Sequence, residues 1–200
     1  MKTDRFYEID NVTYPSVTTI LSVLTSPKLL RWQLDQAALG RNVGQKAMSI
    51  GTKVHKAIEK FTKTGKEPNL KAWGYESKSC WQAFRRWMDV EKPVIHQAER
   101  VVVNEEMGYA GTCDAVVKLG GWKMVVDYKS SEHVNTVYWL QLAAYAKVLG
   151  ADCVGVIRLD KFLGEYEQVI RPYSEEDYER FLDIKRVWKW IRKEEGDGVT

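Results

Sequence analysis

Three side chains close together in the sequence are of the types that hydrolyse phosphodiesters. Asp114 lies within one apolar run, and Asp127 and Lys129 lie at the end of the next. Carboxylates hold hard divalent cations, which polarise a phosphate and lower the pKa of a bound water, and an ammonium group stabilises developing negative charge. These types at this spacing predict a metal-dependent phosphodiester-cleaving site.

Two β-strands joined by a hairpin would bring these groups together. Asp127 and Lys129 are two residues apart, so they project from the same face of a strand. Gly120 and Gly121 separate the two apolar runs and predict the turn of a hairpin. Two carboxylates among apolar strands are costly unless a cation neutralises them. The alternative interpretation is a surface hairpin that carries a salt bridge.

The motifs around these residues resemble those of a known nuclease superfamily. The chain contains, in this order, Gly111-Thr112-Cys113-Asp114, Asp127-Tyr128-Lys129-Ser130 and Gln141-Leu142-Ala143-Ala144-Tyr145. They resemble the G-T-x-D, D-x-K-[ST] and Q-x-x-x-Y motifs of the PD-(D/E)XK nuclease superfamily. The RecB-like exonuclease branch is the nearest, and within it the chain is similar to phage exonucleases and the mitochondrial genome maintenance exonuclease.

Two upstream blocks extend the resemblance. Gly51 and His55 resemble the G-x-x-x-H helix that carries a metal-binding histidine in that branch, and the segment 15–21 resembles the opening of the same exonucleases. The branch also has an acidic residue on the strand before G-T-x-D. Glu99 is the best candidate for it, with Glu105 and Glu106 as rivals.

The resemblance implies a role for each matching residue. Asp114 and Asp127 would bind Mg²⁺ or Mn²⁺, with His55 and the main-chain carbonyl of Tyr128 as further ligands. Lys129 would position the attacking water and stabilise the charge on the phosphate. Glu99 would support the metal ligands or bind a second metal. The remaining pair, Gln141 and Tyr145, would orient the site or the DNA.

The charge distribution predicts a nucleic-acid partner. Residues 28–86 contain 13 Lys and Arg against 4 Asp and Glu, a balance of +9, whereas the whole chain carries +3. Basic residues contact phosphates and aromatic residues can stack on bases. The predicted DNA-binding residues are Arg41, Lys53, Lys56, Ser130 and Ser131. The expected partner is linear DNA, single- or double-stranded, with a helicase, an annealing protein or a single-strand-binding protein as further candidates.

Composition favours a cytoplasmic protein, and the size of the chain together with the family resemblance implies a bacterium or a phage-infected cell. The chain has no run of eighteen apolar residues, so no membrane span is predicted. The first ten residues lack the apolar core of a secretory signal. The three cysteines, Cys80, Cys113 and Cys153, lack the spacing of a zinc site or a disulfide framework. Three cysteines also cannot supply the four that related iron–sulfur nucleases use, so no such cluster is expected.

The apolar patterns predict a single α/β domain over residues 1–200. The expected architecture is a mixed central β-sheet flanked by helices over about 42–172, and the family resemblance implies that this is a restriction-endonuclease-like core. N-terminal helices over 16–40 and a C-terminal helix over 174–192 would pack on it. Further helices are expected over 28–39, 42–62, 70–90 and 135–149, and the aromatic stripe of the 70–90 helix is interpreted as core.

The function predicted from these patterns is a Mg²⁺- or Mn²⁺-dependent DNA exonuclease of replication, recombination or repair. Three alternatives remain: a structure-specific endonuclease, a DNA-binding subunit that has the fold without cleavage, and a small-molecule metal hydrolase. The last would not need the basic segment 28–86.

Overall fold

The chain begins with a small hairpin that packs beside the main sheet. The structure, a computed structural model, describes residues 4–24 and 43–194 and the single positions 31, 35 and 38. Strands β1 (Phe6–Ile9) and β2 (Val12–Pro15) pair antiparallel. Helix α1 (Val17–Ile20) follows, with Ser16 as its N-cap, and continues as a 3-10 turn over Leu21–Leu24. Most of the expected 28–39 helix, and Arg41, lie outside the described residues.

Two long helices follow. Helix α2 spans Val43–Thr64 and helix α3 spans Tyr75–Glu91. The expected start of the second helix near residue 70 is wrong, because Leu70–Ala72 forms a separate 3-10 turn and Gly74 is extended. The side chain of Asn69 accepts the Lys71 backbone N–H at 3.1 Å and so caps that turn.

The central sheet has five strands in the order of the sequence. They are β3 (Val94–Asn104), β4 (Tyr109–Leu119), β5 (Trp122–Lys129), β6 (Cys153–Leu159) and β7 (Tyr166–Pro172). The pairing of β5 with β6 is parallel and the other three pairings are antiparallel. Gly120 and Gly121, with φ of +57° and +91°, form the expected turn between β4 and β5.

Two more helices complete the described chain. Helix α4 (Thr136–Leu149) connects the parallel strands; Asn135 caps its start and Gly150, at φ +57°, follows its end. Helix α5 (Glu175–Glu194) begins after Ser174, whose hydroxyl accepts the Asp177 backbone N–H at 3.1 Å.

Helices cover both faces of the sheet. Helices α1, α4 and α5 pack one face around Val125, Val154 and Leu142, and helices α2 and α3 pack the other around Val117, Val126 and Phe84. The expected fold class, a mixed sheet flanked by helices as in restriction-endonuclease-like cores, is confirmed. The aromatic stripe of α3 is core, as predicted: Trp81, Phe84 and Trp87 are buried. None of the described helices is long and apolar enough to cross a membrane.

Candidate active site

Three carboxylates lie in one row across neighbouring strands. The pairing of β4 with β5 begins at Ala115–Val126, so Asp114 and Asp127 occupy the next opposed positions. The pairing of β3 with β4 runs through Ala98–Ala115 and Arg100–Cys113, which places Glu99 opposite Asp114. Like charges in opposed positions destabilise a sheet, so a cation bound to this row would stabilise it.

Glu99 is held in an unusual backbone conformation. Its φ is +51°, in the left-handed region, which costs a residue with a Cβ about 1–2 kcal/mol. Such conformations concentrate at functional sites. Burial and the nearby Asp114 raise the pKa of the Glu99 carboxyl, although His55 opposes the shift. The rivals Glu105 and Glu106 lie exposed in the turn between β3 and β4, so Glu99 is the acidic residue that the structure brings to the row.

His55 projects from helix α2 to the row of carboxylates. Its Nδ1 lies 3.4 Å from Asp114 Oδ1, and its Nε2 lies 2.8 Å from the carbonyl oxygen of Tyr128. The backbone N–H of Tyr128 donates to Asp114 Oδ2 at 2.8 Å. Burial would lower the pKa of His55, but the charge and hydrogen bond of Asp114 outweigh it and raise the pKa to about 9. The metal-free histidine is therefore an imidazolium at neutral pH.

The same contacts lower the pKa of Asp114. Burial favours its protonated form, but His55, Lys129 and the Tyr128 N–H together hold its pKa below the usual value. Asp114 is thus ionised and ready to bind a cation.

His55, Glu99 and Asp114 have the geometry of a metal-binding cluster. Each offers a ligand atom within 4.8 Å of those of the other two. Carboxylate oxygens suit Mg²⁺ and Mn²⁺, and the imidazole is compatible with Mn²⁺ and other transition metals. The donor set therefore fits a divalent cation. The carbonyl of Tyr128 lies beside it, within hydrogen-bonding distance of His55.

Asp127 is buried and sits between two side chains. It is 3% exposed; its Oδ1 accepts a hydrogen bond from Gln141 Nε2 at 3.1 Å, and its Oδ2 lies 2.7 Å from Lys129 Nζ. Oδ2 is thus buried, with the ammonium group of Lys129 as its neighbour. A buried oxygen of this kind suits a cation ligand.

Asp127 and Lys129 shift each other's titration. Burial and Asp114 raise the pKa of Asp127 to about 6, against the opposing effect of Lys129. Burial would lower the pKa of Lys129, but Asp127 and Asp114 outweigh it and raise the pKa. Lys129 is therefore a stable ammonium at neutral pH.

Tyr138 belongs to this site, although the sequence motifs do not include it. Its ring lies under the ammonium of Lys129, with Nζ 4.8 Å from the ring centroid. It precedes Gln141 by three residues on helix α4, so both project from one helical face. On that face, Gln141 contacts Asp127 and Tyr138 contacts Lys129. In the sequence, Tyr138 stands three residues before the glutamine of the Q-x-x-x-Y motif, and this spacing indicates that the two side chains share a helical face.

Tyr145 packs against the glycine of the first motif. A Cβ added at Gly111 would lie 2.5 Å from the ring of Tyr145, which is itself 2% exposed. Glycine is therefore required here to let helix α4 approach strand β4. The N-terminal hairpin touches the same motif, since the hydroxyl of Tyr7 is 2.9 Å from that of Thr112.

Four of the five expected DNA-binding residues belong to the described part of the chain, and Arg41 lies outside it. Lys53 and Lys56 are exposed on α2 and line an open groove of about 520 Å³. Ser130 follows Lys129, and its hydroxyl would be 3.8 Å from a Cβ added at Gly51. Ser131 shapes the loop after β5, because its hydroxyl donates to the carbonyl of His133 at 2.9 Å.

Comparison with known proteins finds likeness in structure alone. No protein-family model and no curated protein matches the chain. A solved structure of the exonuclease LHK-Exo in complex with dAMP aligns at 12% identity with a TM-score of 0.49, over 91% of this chain and 93% of that one. This alkaline exonuclease comes from Laribacter hongkongensis.

A phage-related exonuclease from Haemophilus somnus is also similar. It aligns at 12% identity with a TM-score of 0.44, over 89% of this chain and 95% of that one. These structural neighbours are exonucleases by name.

Proposed function

We propose that this protein is a Mg²⁺- or Mn²⁺-dependent deoxyribonuclease. The observation that carries the proposal is the row of Glu99, Asp114 and Asp127, flanked by His55 and Lys129. Three carboxylates in neighbouring positions repel one another and are costly to bury, and the protonated His55 and Lys129 offset that cost only in part. A bound divalent cation would neutralise this repulsion, so the same residues form a metal-binding site.

The residues of the chain divide the chemistry between them. Asp114, Asp127, His55 and the carbonyl of Tyr128 would hold the metal, with Glu99 beside them. When bound, a divalent metal polarises the scissile phosphate and lowers the pKa of a bound water.

Lys129 supplies positive charge, not a base, because its raised pKa keeps it protonated at neutral pH. Its ammonium stabilises the extra negative charge of the pentacovalent phosphate and orients the incoming water. Gln141 fixes the carboxylate of Asp127 through one oxygen. Tyr138 fixes the ammonium of Lys129 through its ring.

The proposed mode of action is exonucleolytic. The His55 helix and the Gln141–Tyr145 pair match the exonuclease branch that the motifs resemble. The enzyme would act on DNA ends in replication, recombination or repair, as a phage-encoded or related protein. Lys53 and Lys56 would contact phosphates near the site, and Ser130 and Ser131 would contact the scissile phosphate.

Digestion of linear and covalently closed circular DNA tests the proposal. We expect Mn²⁺- or Mg²⁺-dependent release of nucleotides from the linear form alone. Nicking or linearisation of the circle would identify an endonuclease. Metal-independent binding to DNA without cleavage of any form would identify the non-cleaving subunit and overturn the nuclease assignment.

A further inference from the structure

A second cationic feature lies beside the acidic row, on the β3–β4 side of the sheet. A cavity of about 510 Å³ opens there. Its wall carries His96, Arg100, Lys118 and Lys123, and its floor includes the apolar Val116 and Leu149. The four basic side chains, the cationic wall, belong to strands β3, β4 and β5.

The cationic wall concentrates like charge, and Asp152 is the one carboxylate among the described residues that line the cavity. Lys118 and Lys123 are directly opposed partners in the β4–β5 pairing, an arrangement that destabilises a sheet. Asp152 accepts the backbone N–H of Lys123 at 2.9 Å, and Lys123 Nζ donates to the Leu149 carbonyl.

Arg100 and Lys118 have no such partner. Neither forms an ion pair or a side-chain hydrogen bond with any other residue in the described part of the chain. Both side chains are exposed. Two unpaired cations on the rim of one cavity are available to an anionic ligand.

The position of the cationic wall indicates what that anion is. Arg100 directly follows Glu99, and Lys118 lies four residues after Asp114 along β4. Four residues of β-strand span about 13 Å, the length of about four base-pair steps along DNA. The wall therefore leads away from the acidic row over several successive phosphates, a longer reach than one small anion needs.

We propose that the cationic wall binds the phosphodiester backbone of the DNA along a path that begins beside the acidic row at Arg100 and extends a few nucleotides from the bond that is cut to Lys118. This inference deepens the proposed function and rests on it, since it takes DNA as the substrate. It adds a contact surface on the sheet to the basic residues of helix α2. Arg100 and Lys118 are its main phosphate ligands, and they take no part in the metal site.

The salt dependence of DNA binding tests this proposal. The probe is a fluorescently labelled duplex longer than the wall, bound in Ca²⁺ and followed by anisotropy over a series of KCl concentrations. The test variant is Arg100→Gln/Lys118→Gln. The matched control is Lys189→Gln/Lys193→Gln, which removes two exposed cations from helix α5.

We expect the slope of log K against log salt to become shallower by about 1 for each cation that contacts a phosphate. The test variant should therefore lose about 2 from the slope, while the control keeps the wild-type slope. A test variant with the wild-type slope would overturn the proposal. So would an equal loss in the control, because the effect would then reflect net charge alone.

A short substrate separates failure of this proposal from failure of the proposed function. A dinucleotide is too short to reach from the acidic row to Lys118, so the single variant Lys118→Gln should cleave it in Mn²⁺ at the wild-type rate. A slower rate of Lys118→Gln on the dinucleotide would show that the substitution disturbs the metal site and would overturn the assignment of a remote contact. If the wild type cleaves neither substrate, the nuclease assignment fails, and the binding slopes still decide whether the wall contacts DNA.

Discussion

The Nε2 atom of His55 lies 2.8 Å from the carbonyl oxygen of Tyr128. Both groups are expected metal ligands, yet here they are hydrogen-bonded to each other, with Nε2–H of the imidazolium as the donor. The same ring lies 3.4 Å from Asp114 through Nδ1. The protonated ring thus supplies, in the metal-free protein, the positive charge that a divalent cation would otherwise bring.

Metal binding should therefore release a proton. The pKa of His55 is raised from 6.5 to about 9, so between these values the metal-free ring is protonated, and it must be neutral to bind a metal. We expect metal affinity to rise with pH up to about 9, with close to one proton released per site between about pH 6, above which Asp127 is ionised, and about pH 9. Calorimetry in buffers of different ionisation enthalpy measures this number.

The control for proton release is His55→Gln, which keeps a polar side chain but cannot carry the proton. Its metal binding should be weaker and should show little dependence on the buffer. Equal heats for the wild type in all buffers would contradict a protonated His55.

Tyr138 should affect turnover through Lys129. Replacing it by Leu removes the ring 4.8 Å from the Lys129 ammonium, so the ammonium loses one of its two restraints. Cation–π contacts contribute about 0.5–2 kcal/mol, so kcat should fall by about 2- to 30-fold while KM changes little. Tyr138→Phe keeps the ring and should restore kcat. If Phe is as impaired as Leu, the hydroxyl and not the ring carries the effect.

Gln141 should act through Asp127. Its amide donates to Asp127 Oδ1 at 3.1 Å, and partners that orient a metal ligand typically affect metal affinity or activity about 10- to 100-fold. Gln141→Ala should therefore weaken Mn²⁺ binding and lower kcat within that range while the thermal unfolding midpoint falls modestly. A variant with the wild-type Mn²⁺ affinity and kcat would remove Gln141 from the site.

Gly111 should be intolerant of a side chain. The Cβ of Gly111→Ala would lie 2.5 Å from the buried ring of Tyr145, and overpacking of this kind costs about 1–3 kcal/mol. Urea unfolding measures the loss. In a double-mutant cycle, Tyr145→Leu should relieve most of the cost of Gly111→Ala, whereas Tyr145→Phe should not, because the ring carbon is the closest atom. Purely additive effects would contradict a clash between the two residues.

Much of the site could be predicted from local patterns. Gly120-Gly121 predicted the turn of the β4–β5 hairpin, and the two-residue spacing of Asp127 and Lys129 predicted that they share a face of the strand. The helices expected to begin at residues 16, 135 and 174 do begin there, each directly after a capping residue, Ser16, Asn135 or Ser174. These features depend on a few adjacent residues, so one sequence contains them.

Features that depend on strand register could not be predicted in the same way. From the sequence, Glu99, Glu105 and Glu106 were all candidates for the upstream acidic residue. The β3–β4 pairing places Glu99 opposite Asp114. A register shift of one residue would have placed its side chain on the other face of the sheet. Its left-handed backbone is likewise invisible in the sequence. Helix α3 begins at Tyr75 and not at the predicted residue 70. The pattern of apolar residues continues through a 3-10 turn and an extended Gly74, so it does not mark the helix start.

The most direct measurement is release of label from end-labelled linear DNA in Mn²⁺, with the wild type beside Asp114→Asn and Lys129→Ala. Asn can still accept the Tyr128 N–H but brings no negative charge to the metal, so that variant should fold normally and be inactive. Lys129→Ala should lower kcat by about 10²- to 10³-fold, the usual cost of removing one group that stabilises transition-state charge. The predicted result is release of label by the wild type, none by Asp114→Asn, and a rate for Lys129→Ala that is lower by this factor. Equal rates in all three proteins would contradict the account.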